Sequence, residues 1–327
     1  MSTASTTTAT TGTERETRSL ERVRRIEGPW RGAFARLRKN RLAMISGIFI
    51  LAMAIVAIVL PELLPTKYSD QNYDAVTQGP SLAHLMGTDD LGRDIFVRLV
   101  FGARISLTVG IVVQLVILVI GVPLGLLAGY AGGKTDTIIM RTVDILYAMP
   151  NLLFVILIMT FLRGTFGADP GGIGHALAWL DGKTGGLFGV YIGLGLISWL
   201  TVARIVRASA MSLKEKEFIE AAHGLGASHT QVMFRHLLPN TIAPIVVAAT
   251  LGIPAAILSE AGISFLGLGV IPPMPSWGLM ISDSIPYLRS NSHMLIFPAA
   301  SLSLTVLAFN FLGDGLRDAL DPWMKRG

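Results

Sequence analysis

Seven stretches of this chain contain no Asp, Glu, Lys or Arg and are each at least 18 residues long; one, 261–282, is crowded with Gly and Pro, and the other six are 42–61, 105–133, 145–162, 184–203, 236–259 and 290–313. Crossing the hydrocarbon core of a membrane takes about 20 apolar residues as a helix. A water-soluble domain is about 25% charged, whereas this chain is 15% charged and 51% hydrophobic. A soluble core has no use for six such runs. The predicted fold class is therefore all-α: a polytopic membrane protein built as a bundle of six transmembrane helices.

Charge orients the bundle. Ten Lys or Arg precede Leu42, against four acids. With the N-terminus inside, the inner segments hold 20 of the 27 basic residues. The excess of Lys and Arg on the inner side of a membrane protein predicts cytoplasmic N- and C-termini. The net charge of +5 follows from this distribution and does not indicate nucleic acid. The chain has no cysteine, which excludes disulfides and thiolate metal sites.

Three regions are expected. Residues 1–29 form a Ser/Thr-rich basic tail with too little apolar surface to order itself. Residues 30–41 form a basic lead-in carrying Trp30, Phe34 and Leu37. It reads either as an interfacial helix on anionic lipid or as a solvated segment that only sets orientation. Residues 42–327 hold the spans.

Within the spans, Gly121, Gly125 and Gly129 recur every four residues, a spacing that lets helices approach closely in lipid. The outer segment after the first span contains His84, Asp89, Asp90 and Asp94, with Arg93 and Arg98 interleaved as ion-pair partners. Thr88 or Asp89 is expected to cap a short helix there, while Gly87 and Gly92 permit tight turns. Arg141 and Asp144, three apart, are expected to pair on one helical face. Residues 163–183 read as an outer loop. Glu260 is expected to end the fifth span, and the Gly- and Pro-rich stretch after it to be a re-entrant or broken segment.

Residues 204–239 are the longest polar interruption in the apolar C-terminal half. Phe218, Ala221, Ala222 and Leu225 fall on one helical face. Gly226 suits a left-handed helix end. Ser228 and Gln231 have capping-box spacing. Pro239 marks a boundary. Two helices joined by a glycine turn between spans suggest a docking surface for another protein.

No nucleophile–base arrangement stands out, and no His pair has metal-site spacing. AGYAGGKT, from Ala128 to Thr135, nearly matches a phosphate-binding loop, but that loop wants Gly at the Ala128 position and a strand before it.

Glu220-Ala221-Ala222, Gly226 and Leu238-Pro239 resemble the EAA motif of bacterial ABC-importer permeases, with His236 standing where the motif has Ile. Gly87-Thr88-Asp89, Gly92-Arg93-Asp94, Gly102-Ala103-Arg104, Ser264-Phe265-Leu266-Gly267 and Trp277-Gly278 are similar to the dipeptide, oligopeptide and nickel permeases, in particular their shorter second subunit. The resemblance covers about Trp30 to Trp323. It implies that the helix containing Phe218, Glu220, Ala221, Ala222, Gly224, Leu225 and Gly226 couples to a cytoplasmic ATPase. Gly87, Asp89, Gly92, Arg93, Asp94, Pro239 and Glu260 would serve structure or gating. The implied partners are a homologous second permease, two ATPase subunits, an extracytoplasmic solute-binding protein and membrane lipid. ATP would be bound by the partner subunits, leaving this chain without cofactor or catalytic site. The implied location is the bacterial cytoplasmic membrane. Substrates open within the class are peptides, nickel chelates and oligosaccharides. The alternatives from other classes are a secondary transporter and a membrane-anchored helix-turn-helix regulator.

Overall fold

The computed structural model describes residues 29–168 and 173–321. The tail expected over residues 1–29 lies outside them except for Pro29.

A short helix, α1 (Pro29–Leu37), precedes the first span, α2 (Arg41–Leu63). Asn40 caps α2, its side-chain oxygen accepting from the Ala43 amide at 3.2 Å. The Arg36 Nε donates to the Ala319 carbonyl at 2.8 Å, which fastens α1 to the end of the last helix. The lead-in is thus helical and packed on protein along one side, with Phe34 exposed on the other.

The next span, α3 (Ile95–Ala131), is 37 residues long. Its cap is Asp94, whose carboxylate accepts from the Val97 amide at 3.1 Å, and not Thr88 or Asp89. Asp89 is already committed to Arg93 and its backbone, so it is unavailable as a cap.

The third apolar run does not form one straight helix. The chain makes α4 (Gly133–Tyr147) and α5 (Asn151–Ala168), bent by 92° from one another. Pro150 sits in the break, where it lacks a donor and disfavours helix at the residue before it. Among the described residues, five helices are long and apolar enough to cross a membrane, and this bent pair makes a sixth crossing if it spans as a unit. The segment expected as an outer loop is largely helical instead, with α5 continuing to Ala168 and α6 covering Ile173–Lys183. In α6 the run Ala176, Leu177, Ala178 and Leu180 favours helix over loop.

The fourth span, α7 (Leu187–Lys214), is the most enclosed. Along it runs the glycine stripe of α3. A Cβ at Gly121 would press on Trp199 and Val202, one at Gly125 on Ala203 and Val206, and one at Gly129 on Arg207 and Ala210. The missing side chains are what let these two backbones touch. Val109, Val113 and Ile117 then meet Val190, Leu194 and Ile197 in the main core.

After α7 come α8 (Glu217–Gly224) and the long fifth span α9 (His229–Phe265). Pro239 does not interrupt α9. A π-turn over Val232–Leu237 precedes it and shifts the hydrogen-bond ladder where proline can neither donate nor fit a regular turn. Glu260 does not end α9 either. It is fully buried within the helix, and Ser264 one turn later donates to its carboxylate at 2.6 Å. That bond offsets part of the cost of burying the carboxyl.

A loop leads to α10 (Trp277–Ser284), capped by Ser276. This broken stretch is only partly held inside protein: residues 275–280 are buried, whereas Phe265, Leu266 and Ile271 are exposed. Trp277 is fully buried and its indole donates to the Leu99 carbonyl at 3.2 Å. The last span is α11 (His293–Leu320). It lies on α2, where Gly315 meets Ala43, and on α9, where Gly313 meets Leu251. The start of α2, the ends of α3, α7 and α11, and α8 therefore share one end of the bundle. Residues 64–94 and α10 share the other.

Candidate coupling site

Helix α8 is short, so its ends decide its shape. Glu217 and Glu220 lie in its first turn, where negative charge suits the helix dipole. Its end is a complete Schellman closure. Gly226 adopts φ +84°, its amide donates to the His223 carbonyl at 2.9 Å, and the Ala227 amide donates to the Ala222 carbonyl at 3.0 Å. Nothing lies within 4 Å of where a Gly226 Cβ would stand, so glycine is needed there for its backbone angle and not for space.

The next helix opens with the predicted capping box. The Ser228 hydroxyl accepts from the Gln231 amide at 3.3 Å, and the Gln231 side chain accepts from the Ser228 amide at 2.9 Å. His236, the departure from the motif, is half-buried in the π-turn. Its carbonyl accepts from the Asn240 side chain at 2.7 Å.

The predicted apolar face of α8 is divided. Ile219 and Ala222 are buried against the bundle, whereas Phe218 and Leu225 are 42% and 90% exposed. Glu220, Ala221, Gly224 and Gly226 are exposed beside them. The packing contact comes from Ile219, one position away from the expected face. Phe218, Ala221 and Leu225 form a separate apolar stripe directed away from the protein.

A polar cluster that the sequence reading did not identify ties α8 to its neighbours. The Tyr130 hydroxyl, at the end of α3, lies 2.6 Å from His229 Nδ1 and 3.3 Å from His223 Nε2. The three rings flank a cleft of ≈ 830 Å³ that also meets Lys214, Glu220 and Met233. At the same end, Arg207 of α7 forms a two-pronged pair with Asp136 of α4, one contact being 2.6 Å. Asp144 pairs with Arg204 at 2.6 Å and not with Arg141. Arg204 also lies 4.3 Å over the Tyr147 ring, a second attraction that Arg141 does not have.

The other structural candidates assemble at the opposite end. Gly87, Asp89, Gly92, Arg93 and Asp94 form one compact loop over the start of α3. The Asp89 carboxylate accepts from the Leu91 and Arg93 amides, both at 2.9 Å, and from Arg93 Nε at 2.6 Å. Arg98 approaches the same carboxylate at 3.4 Å and Asp283 at 3.7 Å. Burial holds the Asp283 carboxyl above its ordinary pKa, against the pull of Arg98 and Arg93. His84 pairs with Asp94 at 2.8 Å. Gly87 and Gly92 have φ +79° and +71°, and a Cβ at Gly92 would overlap the Asn72 carbonyl. Glu260 belongs to a separate cluster with Ser264, which also lies 3.5 Å from Ser276. Pro239 joins neither group.

These features describe a helical integral-membrane protein with a small helix displayed at one end and a charge-locked loop at the other. Comparison with known proteins gives the class a name. Residues 121–326 match the family described as the binding-protein-dependent transport system inner membrane component. Residues 28–80 match the N-terminal TM domain of oligopeptide transport permease C. The dipeptide transport system permease protein DppC of Alkalihalophilus pseudofirmus is 43% identical, over 91% of this chain and 91% of its own. The oligopeptide transport system permease protein OppC of Bacillus subtilis is 42% identical, over 91% and 90%. The glutathione transport system permease protein GsiD of Pectobacterium atrosepticum is 39% identical, over 93% and 94%. The inward-facing MetNI methionine ABC transporter has the same fold, with a TM-score of 0.53 at 22% identity, covering 69% of this chain and 98% of that one.

The chain belongs to the family of inner membrane components of binding-protein-dependent transport systems. It is a permease subunit of an ABC importer, a multi-pass inner-membrane protein that works with ATPase and substrate-binding partners and is not itself an enzyme.

Proposed function

We propose that this permease moves peptides, and that α8 is the part of it that an ATPase subunit moves. Support for the substrate comes from its relatives, whose names give dipeptides, oligopeptides and glutathione as cargo. The observation that carries the coupling role is the outward stripe of Phe218, Ala221 and Leu225 at the end of a membrane bundle. Apolar side chains exposed to water beside an acidic residue mark a surface that a partner covers.

The basic-residue count favours this end, with both termini, on the cytoplasmic side. ATP is bound by the partner there and not by this chain. The near-match at Ala128–Thr135 crosses from the end of α3 into α4, with a helix where a phosphate loop needs a strand. A homologous second permease completes the path. The opposite end, with the Asp89 loop and α10, receives the binding protein.

Motion imposed on α8 passes through Ile219 into the core and through the Tyr130–His223–His229 cluster to α3 and α9. Replacing Glu220 or Gly226 by Trp is expected to abolish ATP-driven peptide uptake while the protein still inserts and assembles in the membrane. Uptake surviving both replacements would contradict the coupling role.

A further inference from the structure

A second cleft, of ≈ 460 Å³, opens among α3, α7, α9 and the bend between α4 and α5. None of its lining residues is charged. Its polar groups are the Tyr147 and Thr201 hydroxyls, 2.9 Å apart, with Ser198, Ser259, Asn151 and Gln114. The residues α7 leaves exposed here include Ser198 and Thr201. On α2, by contrast, the exposed residues are Ile45, Ile48, Leu51, Ile55 and Ile58. An aliphatic surface suits lipid. A hydroxyl-bearing surface on a span suits a water-filled path.

Gln114 is the unusual member. It is 3% exposed, and neither its side-chain oxygen nor its nitrogen has a hydrogen-bond partner. An unpaired amide in a membrane bundle is costly. Space for it is provided by Gly252 on α9, where a Cβ would overlap the Gln114 side chain. A donor and an acceptor, side by side on one planar group and both unused, match another amide.

We propose that Gln114 is a substrate-contacting residue of the translocation path, and that it pairs with the backbone amide of a peptide in transit. This rests on the peptide-permease reading above. The absence of charge in the cleft suits passage. It offers no counter-ion for a peptide's termini, so the substrate is guided without being retained. Gly252 keeps the amide in position, and Tyr147 and Thr201 line the same cleft.

The test uses the whole importer, reconstituted in liposomes with its ATPases and binding protein. Uptake of a labelled dipeptide and ATP hydrolysis stimulated by the loaded binding protein are measured together. Gln114→Leu is expected to lower uptake about tenfold with stimulated hydrolysis within about twofold of the original, and Gln114→Asn to recover part of the uptake. Gly252→Ala, which displaces the amide without removing it, is expected to reproduce the loss. Full uptake by the assembled Gln114→Leu complex would overturn the proposal. So would an equal fall in uptake and hydrolysis, which would make Gln114 structural. Failure of the unmodified importer to take up any peptide would instead overturn the substrate reading, and this inference with it.

Discussion

The two ends of this bundle are stabilised in opposite ways. At the Asp89 end, one buried carboxylate gathers two backbone amides and two arginines, and Gly92 has no room for a side chain. The Asp89 carboxylate is answered from within the chain, although Asp90 Oδ1, Arg98 Nη1 and His293 Nε2 are buried there without a hydrogen-bond partner. At the α8 end, Gly226 has open space around it, and Phe218 and Leu225 face outward. That end has its backbone capped at both turns yet leaves an apolar surface uncovered. The difference separates a region whose central carboxylate is held within one chain from a region that, on the proposed function, a partner covers. Loss of a group should therefore cost stability at the first end and transport at the second.

The largest loss of stability is expected at Gly92. Gly92→Ala puts a Cβ onto the Asn72 carbonyl at a backbone angle of +71°, and should cost about 3 kcal/mol or more. Thermal unfolding of the detergent-purified protein would show it as a lowered midpoint or loss of a monodisperse species. Next is Asp89→Ala, which leaves Arg93 and Arg98 buried without their shared partner. Removing one side of a buried ion pair costs about 3–5 kcal/mol, and the same unfolding measurement applies.

Gly226→Ala should cost only about 1–2 kcal/mol, since its penalty is the left-handed conformation alone. Gly224→Ala, at a helical position with space around it, should leave stability unchanged or slightly raised. A Gly226→Ala protein as damaged as Gly92→Ala would erase the contrast between the two ends. The smallest effect is expected for Phe218→Asp combined with Leu225→Asp. Stability should stay within about 0.5 kcal/mol, as at other exposed sites, while ATP-driven uptake falls at least about tenfold. Uptake that survives this pair would mean that the exposed stripe is not a dock.

Much of the arrangement is local and was therefore readable from the chain. The apolar runs follow from length and charge. Gly226, Ser228 and Gln231 announce a helix end and a helix start within six residues, and the structure has both. What failed needed information from distant residues. Asp144 had a candidate partner three residues away, but took Arg204, 60 residues on. Tyr130 meets His223 and His229 across 93 and 99 residues, and no spacing rule reaches so far. Glu260 looked like the end of a span because a carboxyl is costly in a membrane. Only the packed structure shows Ser264 donating to it. The apolar face of α8 illustrates a subtler limit. Helical periodicity grouped Phe218, Ala221, Ala222 and Leu225, but could not say that Ala222 faces the bundle while the other three face away from it. Ile219 decides that, by packing with Val232 and Leu237 in the core.

The absence of native cysteine permits a direct test of what covers that outward face. Ala221→Cys gives a single thiol on the stripe, and the assembled importer can be treated with a short thiol cross-linker against single cysteines placed along the ATPase surface. A cross-link to the ATPase is expected, with protection of the thiol from a water-soluble maleimide in the full complex but not in the isolated permease. Equal labelling in both, with peptide uptake intact and no cross-link, would contradict the coupling role.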